Sequence, residues 1–299
     1  MSTAVKTGPF VVLPVAARFA IVQKTGKGWV SSMDISTIIG LVLAFGSLVG
    51  GYLIEKGNIA SLFLLSPFII VFGGTVGALI ISYGIQDLLG AFKALFKSFS
   101  PKSKPDPETL IKKICQMADA CRAEGLLKLQ SMVSDSEIQG DNYLMLKEAM
   151  ILATDMKNTE SMEETLQADI QSYTLKCQME IDVFEGAGGF SPTLGIIGTV
   201  MGLVQVLSNM SDAASLTAAI AVAFIATLYG VVFANIIYLP AANHLKGCLK
   251  RQQIFRQMII DGMCMLASGE SSRNIENKLS LYYHAFPGGE QKYKAGIEN

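Results

Sequence analysis

Charge is what this sequence has least of. Only 16% of its 299 residues are Asp, Glu, Lys or Arg, against 51% hydrophobic, where a soluble domain carries about a quarter charged residues. Mean hydropathy is +0.41. A net charge of -1 suggests no nucleic-acid-binding surface. Cysteine is sparse and odd in number: Cys115, Cys121, Cys177, Cys248 and Cys264, with no C-x-x-C pair. That suits free thiols in a reducing compartment. The two histidines, His244 and His284, read as far from any partner, so a zinc site is not expected. No nucleophile–base cluster and no metal set stand out, which argues against an enzyme and against any bound cofactor.

Apolar runs long enough to cross a bilayer are what the chain does have. They cover about Ile35–Ile54, Ile59–Tyr83, Ala187–Met210 and Leu216–Leu239. The short breaks between paired runs are "EKGN" at 55–58 and "SDAAS" at 211–215. Residues 85–185 hold most of the charge. They contain "SPKSKPDPE", whose three prolines mark a break before a helical domain. The stretch from Pro107 is rich in helix formers, with Leu110, Ile114, Met117 and Cys121 at helical spacing. The expected architecture is all-α: four membrane helices, with a large helical cytoplasmic domain between the second and third. The division is 1–32, an extension outside the machine; 33–84, spans one and two; 85–185, the helical domain; 186–240, spans three and four; 241–299, a C-terminal helix and tail.

Lysine and arginine set the orientation. Lys93, Lys97, Lys102, Lys104, Lys112 and Lys113 follow span two; Lys246, Lys250, Arg251 and Arg256 follow span four. The links after spans one and three hold Lys56 and no basic residue, respectively. Both termini and the middle domain are therefore expected inside, with two tight hairpins facing out.

The stretch "GGFSPTLGIIGTVMGLV", residues 188–204, is built from weak helix formers. In lipid a helix keeps its backbone bonds, because the alternative is an unsatisfied polar group. Glycine there serves close approach between helices. Gly198 and Gly202 are four apart, as are Gly195 and Thr199; Ala226, Gly230 and Ala234 repeat the interval on span four. Gly46 with Gly50, and Gly73 with Gly77, carry the same spacing on spans one and two. Pro192, after Ser191, is either a first-turn proline capped by the serine or a kink in a longer helix. Pro240 reads as the end of span four. Thr199 and Thr227 fall near mid-membrane by residue count. Each either bonds back to the carbonyl four residues earlier or lends its oxygen to a polar path.

Acid is absent where an ion carrier needs it. Between Ile59 and Tyr83, and between Ala187 and Pro240, the only ionisable acid is Asp212, in the outer link. A cation path through lipid normally holds a carboxylate, so a partner chain would have to supply one.

"GGFSPTLGIIGTVMGLVQVLSNM" with "AIAVAFIATLYGVVFANIIYLPAANHLK" resembles the third and fourth membrane helices of the MotA/PomA family, the larger stator subunit of the bacterial flagellar motor within the MotA/TolQ/ExbB proton channel superfamily. "VFGGTVGALIISY" resembles the end of that family's second helix. The resemblance covers about residues 33–270. It implies a homopentamer in the bacterial inner membrane around a MotB/PomB-type partner whose membrane aspartate binds the ion. It further implies that ion flow, of Na+ or H+, drives torque on the rotor switch protein FliG in motility and chemotaxis. Pro192 and Pro240 match the family's two prolines. Thr199 stands where sodium-driven members have threonine, and Thr227 in "ATLYG" matches a second threonine near the ion route; together they favour sodium. "CRAEGLLKLQ" resembles the rotor-facing region: Arg122 matches its arginine, but Gln130 stands where the family tends to have glutamate. Glu124 and Lys128, four apart on one helix face, are the alternative charged pair. An ExbB/TolQ-type energiser and a self-contained channel or transporter are the rival readings.

Overall fold

The computed structural model describes residues 29–100, 105–133, 143–155, 158–208 and 213–289. Its helices are α1 (Trp29–Ile54), α2 (Gly74–Ser98), α3 (Pro107–Glu124), α4 (Lys128–Val133), α5 (Leu144–Asp155), α6 (Thr159–Ser208), α7 (Ala213–Val232), α8 (Leu239–Ala267) and α9 (Ser272–Ser280). No strand occurs among the described residues. Two units are distinguished, Met1–Gly46 and Ser47–Asn299. Within the first, α1 starts at Trp29, inside the stretch read as an extension; residues 1–28 lie outside the described residues, as do the first two positions of the "SDAAS" link and the last ten residues.

Three stretches among the described residues are long and apolar enough to cross a membrane: Ile59–Ser98, Thr159–Ser208 and Ile220–Ala267. The apolar part of α1, Ile39–Ile54, is shorter. The turn between α1 and the second span is made by "EKGN", where Lys56 takes a positive φ of 61°. Asn58 then caps the 3-10 turn Ile59–Leu62, its side chain accepting from the Ala60 N–H. The second span changes direction at Gly84, with φ 79° and ψ 163° inside α2. Only glycine adopts that backbone without strain; the apolar stretch itself continues past the expected end at Tyr83, to Ser98.

Pro107 does what its position dictates. It occupies the first turn of α3, where its missing N–H is no loss. Asp106 caps that turn, accepting from the Glu108 N–H at 3.2 Å and the Thr109 hydroxyl at 2.5 Å. Helices α3, α5, α8 and α9 then close one apolar core around Leu110, Ile114, Met117, Met150, Phe255, Met258 and Ile259, each 1% exposed or less. A second core, around Ala91, Phe184, Ala187, Ala242 and Leu245, joins α2, α6 and α8.

Of the two readings of Pro192 the structure selects one, and the reading of Pro240 is corrected. Pro192 is not a first-turn proline: it sits inside α6, a single helix of 50 residues running from the charged domain through the third span. Pro240 does not end the fourth span either. A π-turn, Phe233–Tyr238, precedes it, and α8 carries on for 29 residues. A proline ring crowds the preceding turn and lacks an N–H, and a wider turn absorbs both. So the helices of the third and fourth spans continue as rods into the charged domain, instead of meeting it through loops.

Candidate functional site: the crossing of two glycine-lined helices

Helices α6 and α7 approach until their backbones touch. A methyl group built on Gly230 would lie 2.6 Å from the Ser191 carbonyl oxygen and 3.1 Å from Pro192 Cα. One on Gly195 would meet the Ala226 carbonyl oxygen at 2.9 Å and Thr227 Cα at 3.1 Å. Gly198 faces Ala226 Cβ at 2.7 Å and Gly202 faces Ala223 Cβ at 2.8 Å. All four glycines singled out on these helices therefore sit at the contact, as the four-residue spacing requires. Gly50, Gly73 and Gly77 differ: nothing lies within 4 Å of their missing methyls.

Ser191 serves this crossing rather than a helix start. Its hydroxyl, fully buried, donates across to the Gly230 carbonyl at 3.0 Å. Pro192 beside it packs on Gly230, while Gly188 packs on Leu239, next to Pro240.

Eight residues from Ser191, Thr199 meets Thr227. Their hydroxyl oxygens are in direct hydrogen-bond contact. Thr199 Oγ1 also lies 3.1 Å from the Gly195 carbonyl on its own helix and 3.0 Å from the Ala223 carbonyl on α7. Thr227 Oγ1 lies 3.4 Å from the same Gly195 oxygen. The ordinary back-bond to the fourth carbonyl before thus holds for Thr199. Thr227 reaches across instead. Four contacts share two hydroxyl hydrogens, so the cluster has more oxygen lone pairs than donors. Both threonines are half-exposed at the surface of this subunit.

Sequence reasoning missed Tyr229, two residues on from Thr227. Its hydroxyl donates to the Leu62 carbonyl and accepts from the Leu64 N–H at 3.1 Å. That backbone lies between the Ile59–Leu62 turn and the single helical turn Leu65–Phe68. Phe68 and Phe233 pack on the tyrosine ring, with centroids 6.4 and 6.2 Å from it, and Phe72 stacks on Phe68 at 5.2 Å. The signal was a phenol in the middle of an apolar run, whose hydroxyl needs a partner.

The residues read as facing a rotor lie around the α3–α4 corner. Arg122 and Glu124 are exposed in the last turn of α3; Gln130 is exposed in α4. Glu124 and Lys128 do pair, at 2.9 Å. They do not share one helix face, however: α3 stops at Glu124, and Gly125, with φ 84°, turns the chain before α4. Sequence spacing alone cannot show that break. An exposed pair of this kind contributes less than about 1 kcal/mol.

All five cysteines are free. Burial raises the Cys121 thiol and pushes that of Cys115 up to about 11. His244 does have a partner, contrary to the reading above: its Nε2 lies 3.7 Å from Cys248 Sγ. Among the described residues no group of three or more His, Cys, Asp or Glu is placed to hold a metal.

Two family descriptions match the chain: "Motility protein A N-terminal" over residues 38–125 and "MotA/TolQ/ExbB proton channel family" over residues 137–258. Chemotaxis protein PomA of Vibrio alginolyticus is 31% identical over 250 residues, covering 84% of this chain and 95% of that protein. The chain belongs to the MotA/PomA stator family. Motility protein A of Bacillus subtilis is 30% identical over 85% of this chain and 92% of its own length. Among solved structures, C. jejuni MotAB matches with TM-score 0.76 and 28% identity, over 83% of this chain and 95% of that one. The flagellar MotAB stator complex from Bacillus subtilis matches with the same TM-score over 88% and 100%. Membership of the MotA/PomA family makes this a membrane motor component with a role in motility and ion conduction, and not an enzyme.

Proposed function

We propose that this chain is the larger stator subunit that, with a MotB/PomB-type partner, passes sodium along the α6–α7 crossing and converts that flow into torque on the rotor. One observation carries the choice of ion. The Thr199–Thr227 cluster offers oxygens in excess of hydrogens, in a stretch whose only acid is Asp212 in the link. A sodium ion shedding water needs such oxygens. A proton needs a titratable group, and the partner's aspartate would serve either ion. The proposed assembly is a pentamer in the cytoplasmic membrane with both termini inside. The transported cation is cargo, and no resident cofactor takes part.

The test uses a strain lacking both native stator subunits, restored by this chain with its aspartate-bearing partner. Swimming speed should follow external sodium. Thr199→Ala should raise the sodium concentration for half-maximal speed about tenfold, the equivalent of ~1.4 kcal/mol of lost oxygen contact. Full speed in sodium-free medium would assign the proton instead. Rescue by this chain without the partner would remove the stator reading altogether.

Torque is proposed to pass through the α3–α4 corner to the rotor's FliG. Charges there steer and register two surfaces more than they bind them. Arg122 is exposed and outside both apolar cores. Arg122→Glu should therefore slow swimming while leaving the amount of assembled complex unchanged. A fully motile variant would exclude Arg122 from the contact.

A further inference from the structure

The five cysteines differ in company. Cys115 Sγ donates to a backbone carbonyl, that of Ser272, at 3.5 Å and packs against the apolar core. Cys248 sits in a cluster of three reactive or charged side chains on one face of α8. His244 is one turn before it, with Nε2 3.7 Å from the sulfur. Arg251 is one turn after it, donating from Nη2 to the sulfur at 3.5 Å. The spacing of four and then three residues puts all three on one stripe of the helix. The thiol is half-exposed.

An imidazole within reach can take the thiol proton, and a fixed guanidinium then faces the thiolate. These are the two devices that make a cysteine nucleophilic. The cluster also borders a joint between helices. The His244 ring stacks on Phe99, the residue that caps α2, with centroids 4.8 Å apart and planes 18° apart.

We propose that Cys248 is a reactive thiol and a site of reversible oxidation by hydroperoxides, set at the joint where α2 and α8 meet. The Cys248 thiolate attacks the nearer oxygen of the peroxide, and the O–O bond breaks. The departing oxygen takes the proton held by His244 and leaves as water or an alcohol. Sulfur is oxidised by two electrons to a sulfenic acid, which a cellular thiol can reduce through a mixed disulfide. An oxygen added on the imidazole side enters the 3.7 Å gap between sulfur and imidazole. The ring must shift, and the Phe99 stack shifts with it. Oxidation therefore alters the contact between two helices that lead out of the spans.

The chemistry is tested without any assumption about the transported ion. The assembled complex, in native membranes, is treated with iodoacetamide and labelling is followed peptide by peptide by mass spectrometry. Cys248 should react about tenfold faster than Cys115 and Cys121. His244→Ala and Arg251→Gln should each slow it several-fold without changing the other four. Labelling of Cys248 no faster than the rest, or rates indifferent to both variants, overturns the proposal. So does stoichiometric protection by added Zn2+, which would make the His–Cys pair a metal site. The consequence is tested separately. Sub-lethal hydrogen peroxide should slow swimming cells that carry the wild-type chain and spare those that carry Cys248→Ser. Equal slowing of both removes the regulatory role.

Discussion

Gly230→Ala is expected to abolish motility, although it adds one methyl group. The new carbon would sit 2.6 Å from the Ser191 carbonyl oxygen, 3.1 Å from Pro192 Cα and 3.2 Å from Gly195 Cα. All three are backbone atoms of α6, so no side chain can swing aside. The helices must separate, and overpacking of this sort costs roughly 1–3 kcal/mol. Separation has further effects. The Ser191 hydroxyl loses its bond to the Gly230 carbonyl, and the Thr199–Thr227 contact opens. Gly90→Ala is the control, because nothing lies within 4 Å of that missing methyl. A helical glycine in open space gains up to about 1 kcal/mol on becoming alanine, so that variant should swim normally. Swimming and membrane abundance of the two variants make the measurement. Normal swimming by Gly230→Ala would show that the crossing can widen without loss.

The second large effect is expected at Tyr229→Phe. The substitution removes one oxygen and leaves the ring packing intact. That oxygen serves two backbone groups at once, the Leu62 carbonyl and the Leu64 N–H. Beside an apolar span no solvent replaces it. Two orphaned groups cost on the order of 2–4 kcal/mol. The apparent melting temperature of the complex in mild detergent should fall by several degrees, with less protein in the membrane. Phe68 and Phe233 should hold the phenyl ring in place, so the loss is polar and not a cavity. An unchanged melting temperature would mean that another donor and acceptor reach Leu62 and Leu64.

Much of the fold was legible in the residues, and for identifiable reasons. Apolar length places the spans, because a bilayer demands it of any sequence. Asp106 and Pro107 announce the start of α3, since capping and a missing N–H are local matters. The four-residue spacing of Gly195, Thr199, Gly198 and Gly202 marks a helix face meant for contact, since that face is fixed by the helical period alone. What each glycine touches is not periodic. The spacing is the same at Gly73 and Gly77, yet nothing lies near them, while Gly195 and Gly230 meet backbone.

Helix continuity was only partly legible in the sequence. Pro192 fits a first turn or the interior of a longer helix equally well, and Pro240 reads locally as a stop. Packing on α7 holds the first inside a long helix, and a π-turn carries the second. At the α3–α4 corner the reverse holds: Glu124 and Lys128 have the spacing of a helix pair, and a left-handed glycine breaks the helix between them. His244 and Cys248, one turn apart, were read singly, although that spacing was there to be seen.

The amino-acid sequence alone determined that this is a helical membrane protein with almost no acid of its own in the spans, because hydropathy and charge are properties of residues taken one at a time. Only the tertiary structure decided that two threonines 28 positions apart share hydrogens, and that a tyrosine hydroxyl holds a turn 165 positions away. Those contacts depend on how closely two helices can approach, and the atoms facing each glycine set that distance.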